Sequence, residues 1–198
     1  DYFRWRKYYP YCAGLLGDLF PHRLHPLVLA TGNPEFPRRV VCTGAKHIKS
    51  DKKTPGTPER DVPETVGALV EFPSGYQLVV TSSTVSEQGL RDMIQGHHAT
   101  LYMGGNRVEL KPERPFAEDV DEAVFENLAP GEDIKWHEKN WFESIRANKQ
   151  PNAGIELAVR VQTIVSLAEM SDRLNVACIF DEKTRKVTTE SGREIKPL

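Results

Sequence analysis

The sequence predicts an α+β domain, a mainly antiparallel open β-sheet with helices packed on one face. Three observations lead there. Short apolar, β-branched runs separated by Gly, Pro and Asn turns fill the middle of the chain. Over the last third the apolar period lengthens from two residues to about 3.6. One further helical segment precedes the strands, and helices gathered at the ends of a run of strands describe a sheet covered on one side.

The opening residues, DYFRWRKYYPYC, interleave Tyr2, Phe3, Trp5, Tyr8, Tyr9 and Tyr11 with Arg4, Arg6 and Lys7. Such a mixture either packs aromatics onto the core or lines a ligand, because aromatic faces cover C–H surfaces while Arg and Tyr supply hydrogen bonds. The next segment, GDLFPHRLH from Gly17 to His25, places Asp18, His22 and His25 at spacings of four and three. On a helix those offsets share one face, so the three groups are expected to converge. A carboxylate that orients an imidazole builds a proton acceptor suited to neutral pH. Pro21 fits a first helical turn, whereas Pro26 removes a backbone donor and should kink the helix just after His25.

Residues 38–43, RRVVCT, read as a short strand. Lys46 to Val62, with Pro55, Gly56 and Pro58, reads as a solvated surface loop in spite of Lys46, Lys49, Lys52 and Lys53. Val66–Phe72 and Tyr76–Ser82 flank Pro73, Ser74 and Gly75, an antiparallel hairpin. Arg91–Gln95, Ala99–Met103 and Arg107–Leu110 continue the sheet, the last two joined through Gly104, Gly105 and Asn106. Pro112 to Gly131 is acidic and irregular. Asp133 can cap a helix whose Ile134, Trp141, Phe142 and Ile145 share an apolar face, ending near Asn148. A longer helix runs from about Gly154 to Leu174, burying Leu157, Val161, Ile164, Val165 and Ala168 and pairing Glu156 with Arg160 and Glu169 with Arg173. Val176–Phe180 and Lys186–Thr189 close the chain as edge strands.

Composition narrows the function classes. The 198 residues suffice for one ordinary domain, and 39% hydrophobic with 27% charged residues is the balance of a globular protein. A formal charge of -2 offers no general attraction to nucleic acid or anionic membrane. Cys12, Cys42 and Cys178 are odd in number and widely spaced, which reads as buried free thiols rather than a disulfide framework or zinc site. No apolar run reaches the roughly 20 residues that span a bilayer, and the start does not resemble a signal peptide. A cytoplasmic location is expected. The chain starts at Asp1 inside an aromatic-rich segment, so an upstream portion is expected as well.

Four stretches in order, GLLGDLFPHRLHPL, EFPSGY, IQGHHATLYMGG and NWFESIRANKQPNAGIELAVRVQTIVSLAEMSDRL, resemble the C-terminal domain of the Gfo/Idh/MocA oxidoreductases over nearly the whole chain. Residues 1–198 would then be one substrate-binding and oligomerisation domain. In that family a G-x-x-x-D-x-x-x-H-x-x-D pattern lies beside the substrate; Asp18 and His22 match it, and His25 stands where Asp is common. The resemblance implies a preceding Rossmann domain that binds NAD or NADP. No two glycines here are two positions apart, so the G-x-G core of the dinucleotide fingerprint is absent and no cofactor is expected on this chain alone.

For the intact protein the resemblance implies oxidation of a secondary hydroxyl on a sugar, polyol or related compound. His22 is then the base, Asp18 its orienting carboxylate, and His25, Tyr11 and Arg6 substrate contacts. A homo-oligomer through the open sheet face is expected, with neither nucleic acid nor membrane as partner. Three readings stand beside this one: an NAD-dependent glycosidase of the same family, a non-catalytic binding or assembly module, and a metal site of Asp18, His22 and His25.

Overall fold

The computed structural model describes residues 2–47, 56, 58–104, 106–128, 133–196 and 198. Lys49, Lys52, Lys53 and Pro55 of the expected surface loop, Gly105 of the expected turn, Gly131, and the side chains of Tyr2 and Phe3 lie outside what is described. The chain forms two compact units, one drawn from residues 1–87 and 153–198, the other from 88–152.

The first unit opens with a 3-10 helix, Tyr2–Lys7, then α1 (Gly14–Asp18) and α2 (Phe20–Ala30). Strands β1 (Arg39–Ala45), β2 (Thr65–Glu71) and β3 (Gln77–Ser83) follow. The β2–β3 hairpin turns as expected at Pro73–Gly75. Gly75 N–H donates to the Phe72 carbonyl at 3.0 Å and takes φ +93°, a conformation that favours glycine.

The second unit contains β4 (Asp92–Gln95), β5 (Ala99–Gly104), β6 (Arg107–Pro112) and β7 (Ala123–Phe125), adjacent in that order and all antiparallel, with α3 (Ile134–Ala147) after them. Strand β7 falls inside the stretch expected to be irregular. Asp133 caps α3 by accepting the Lys135 N–H at 2.8 Å, and Asn148 ends it at φ 51°. The apolar stripe of α3 is present but exposed, with Ile134, Trp141, Phe142 and Ile145 all facing water.

The chain then returns to the first unit with α4 (Ile155–Leu174), β8 (Cys178–Asp181), β9 (Lys186–Thr188) and β10 (Glu194–Ile195). Its sheet is six-stranded, antiparallel throughout, in the order β10-β9-β8-β1-β2-β3. The middle strands are thus divided between two sheets instead of forming one. A period of two residues fixes which side chains share a face, but not which strand lies alongside.

Helices α1, α2 and α4 cover one face of the larger sheet. Val40 and Cys42 of β1 and Val66, Ala68 and Val70 of β2 point into a core with Leu15, Leu16, Phe20, Leu24 and Val28 from the early helices and Val161, Ile164, Val165 and Ala168 from α4. Both expected ion pairs of α4, Glu156–Arg160 and Glu169–Arg173, form at 2.8 Å. Ser171 ties α4 to the sheet: its Oγ accepts from the Cys42 N–H at 2.8 Å and donates to the Val176 carbonyl at 2.6 Å. On the opposite face Val41, Leu69 and Val79 are exposed, and they stand in register, Leu69 opposite both of the others. Among the described residues no helix is long and apolar enough to cross a membrane.

Candidate functional site

The Asp18–His22 motif does not lie on one continuous helix. Pro21 has no N–H to give the Gly17 carbonyl, and its ring crowds that carbonyl, so α1 stops at Asp18 and α2 starts at Phe20 with Leu19 between them. Pro26 sits inside α2 and deprives the His22 carbonyl of a partner, yet the helix runs on to Ala30. The carboxylate and the imidazole are therefore carried by different helices.

Each expected site residue has a definite place. Asp18 is half-buried and accepts from Arg6 Nε at 2.6 Å. Among the described residues no hydrogen bond joins Asp18 to His22. His22 is exposed near the start of α2. His25 is half-buried, with Nδ1 2.7 Å from the Pro21 carbonyl. A carbonyl only accepts, so Nδ1 carries the proton and Nε2 is left as the outward acceptor. Tyr11 is exposed on the turn after the 3-10 helix. The fold brings Arg6 and Asp18 together, and leaves His22, His25 and Tyr11 without a bond to either. No cluster of three His, Cys, Asp or Glu able to hold a metal exists among the described residues, so the reading of Asp18, His22 and His25 as a metal site finds no geometric support.

Arg6 and Asp18 open onto a cleft of about 240 Å³ that Lys7, Gly14, Leu15, Leu19, Arg60, Val62, Pro63 and Thr84 complete. The sequence reading missed this wall, taking residues 46–62 for a solvated loop. Its last residues are instead held in place. The Asp61 and Val62 N–H groups donate to the Lys7 carbonyl at 3.1 and 3.3 Å, the Tyr9 N–H donates to Asp61 Oδ1 at 2.8 Å, and Val62 is buried. Arg60 donates to the Val62 carbonyl at 3.0 Å and to Glu64 Oε1 at 2.9 Å, and Glu64 is fully buried. Four residues between opposite charges was the available signal, masked by Pro58 and Pro63 on either side.

Gly14 sets how closely α1 approaches this wall. A Cβ there would fall 1.9 Å from Val62 Cγ1, and its φ of +62° already favours glycine. The cysteines offer no nucleophile nearby. Burial raises the Cys42 thiol to about 12 and the Cys178 thiol to about 11, and Cys12 is raised for the same reason, which keeps all three protonated at neutral pH. All three are free, although Cys12 is half-buried where full burial was expected.

No family model and no curated protein matches the chain. Solved structures do. An NAD-binding oxidoreductase from Klebsiella pneumoniae superposes with a TM-score of 0.67 at 20% identity, over 87% of this chain and 52% of that one. An aldose-aldose oxidoreductase from Caulobacter crescentus does so with a TM-score of 0.68 at 16% identity, over 91% and 52%. The chain has the fold of a Gfo/Idh/MocA-type C-terminal domain. A levoglucosan dehydrogenase in complex with NADH and levoglucosan adds a TM-score of 0.59 at 15% identity, over 85% and 52%. This C-terminal-domain fold spans about half the length of the solved structures it matches.

The usual dinucleotide crevice, at the carboxyl ends of parallel strands joined through helices, has no counterpart among the described residues, whose sheet pairings are all antiparallel.

Proposed function

We propose that this chain is the substrate-binding and assembly half of an NAD(P)-dependent oxidoreductase that oxidises a secondary hydroxyl of a sugar, polyol or related compound. The observation that carries the reading is the fold shared with half of each NAD-binding oxidoreductase above, with Asp18 and His22 standing at the family's motif positions. The sugar-acting relatives, levoglucosan dehydrogenase and the aldose-aldose oxidoreductase, support the substrate class. The nicotinamide, bound by a preceding domain, would supply the hydride acceptor.

In this reading His22, exposed at the start of α2, takes the hydroxyl proton. Asp18, across the Leu19 break, is the carboxylate of the motif, and Arg6 holds it in place. His25 presents Nε2 as an acceptor for a substrate hydroxyl, and Tyr11 contributes an exposed phenol.

Assembly would use the uncovered face of the six-stranded sheet, where Val41, Leu69 and Val79 form an apolar row. A monomer in light scattering at high concentration would count against that part.

The test of the chemistry is His22→Ala in the full-length protein. Turnover of the best sugar substrate should fall by about 10²- to 10⁴-fold, the usual contribution of a general base, with affinity for the nicotinamide cofactor within twofold. Unchanged turnover would sink the assignment.

A further inference from the structure

The cleft beside Asp18 is lined by three basic side chains, two of them arginines, more than a neutral sugar calls for. Among the described residues Arg6, Lys7 and Arg60 line it with Asp18, the rest of the wall is largely Leu15, Leu19, Val62 and Pro63, and the two arginines are held by carboxylates, Arg6 by Asp18 and Arg60 by Glu64.

Both arginines keep terminal N–H groups that make no hydrogen bond among the described residues. Arg6 uses Nε on Asp18, and its guanidinium lies over the Trp5 ring at 4.1 Å, which fixes the plane of the fork. Among the described residues no hydrogen bond engages its two terminal nitrogens. Arg60 is largely buried; it uses Nε on the Val62 carbonyl and Nη1 on Glu64, and among the described residues no hydrogen bond engages Nη2. A volume of about 240 Å³ is below the roughly 300–1,000 Å³ of complete ligand pockets, so the cleft suits one head group rather than a whole substrate.

We propose that this cleft is an anion subsite. It takes a carboxylate or phosphate carried by the sugar or polyol whose hydroxyl His22 deprotonates, gripped by the terminal nitrogens of Arg6 and Arg60. The substrate is then an acidic sugar, a refinement that rests on the oxidoreductase reading above.

The test uses the full-length protein with four probes: inorganic phosphate, glucuronate, glucose 6-phosphate and glucose. Calorimetry should show phosphate binding that weakens with added salt. Arg6→Gln should weaken it tenfold or more, the usual cost of removing a hydrogen bond to a charged group, and Arg6→Lys should recover most of the loss. A melting curve checks that each variant is folded. Glucuronate or glucose 6-phosphate should be bound at least tenfold more tightly than glucose, and whichever acid leads identifies the group as carboxylate or phosphate.

Phosphate binding that is absent, or equal in the wild type and Arg6→Gln, overturns the subsite; so does glucose matching both acids. The two readings fail separately. Phosphate binding lost in Arg6→Gln, with no nicotinamide-linked oxidation of any probe, keeps the anion site and removes the oxidoreductase. Oxidation of glucose with no competition by phosphate does the reverse.

Discussion

Arg6 donates from Nε to Oδ2 of Asp18 at 2.6 Å, so the carboxylate of the Asp-His motif is engaged by a guanidinium that lies twelve residues before it. Arg6 is nearly two-thirds exposed, and a pair so open to solvent contributes about 0.2–1 kcal/mol to stability. A double-mutant cycle of Arg6→Ala and Asp18→Ala should therefore return a coupling no larger than about 1 kcal/mol. In thermal melts each single variant should move Tm by at most roughly 4 °C.

Gly14 is a harder constraint. Gly14→Ala combines an unfavourable φ with a Cβ driven into Val62 Cγ1. Backbone strain and overpacking together should cost about 2–5 kcal/mol in chemical denaturation. Adding Val62→Ala removes the colliding methyl and should relieve the packing part of that cost, leaving the backbone part.

The Arg60–Glu64 pair should behave in the opposite way to Arg6–Asp18, because Glu64 is fully buried and Arg60 nearly so. Glu64→Ala strands a guanidinium in a poorly hydrated site and is expected to cost about 3–5 kcal/mol. Replacing both with apolar residues, as in Arg60→Met with Glu64→Leu, should cost less than either single change. Urea midpoints of the three variants check this.

Alkaline pH should destabilise the fold through two groups. Burial, helped by Asp172, raises Cys42 from 9.0 and Tyr9 from 10.0, each to about 12. Both are neutral when protonated, so their raised folded values add stability that is fully present below about pH 9 and is lost as pH climbs towards 12. Urea midpoints measured from pH 8 to 11 should fall with pH. Cys42→Ala should flatten the slope from pH 9 upward, and Tyr9→Phe should flatten it from pH 10.

In the core, Leu24→Ala should cost about 2–5 kcal/mol, since Leu24 is wholly enclosed, whereas the exposed Leu29 on the same helix should tolerate the change within about 0.5 kcal/mol. Guanidinium melts of the two variants compare them directly.

What the sequence made legible follows from the range of the forces involved. Helix α4 was readable because twenty residues repeat one period, and its stripe and both of its ion pairs are local. The α3 cap at Asp133 and the turn at Pro73–Gly75 are likewise decided within four residues. The division of strands into two sheets depends on pairings between distant segments, which a local period does not encode. Asp18 and His22 were singled out by a spacing that assumed an unbroken helix. Arg6 was named as a substrate contact and not as the partner of Asp18. Arg60 and Glu64 were hidden among prolines that resemble a loop.

A single residue, Leu19, joins α1 to α2. In an unbroken helix the separation of Asp18 from His22 would be fixed by a rise of about 1.5 Å per residue; here it is set by the two backbone torsions of Leu19, which sits at −109° and −34°. Leu19 is itself partly exposed and lines the cleft. A change at this one position can therefore move Asp18 relative to His22 and reshape the cleft wall together, without disturbing the core.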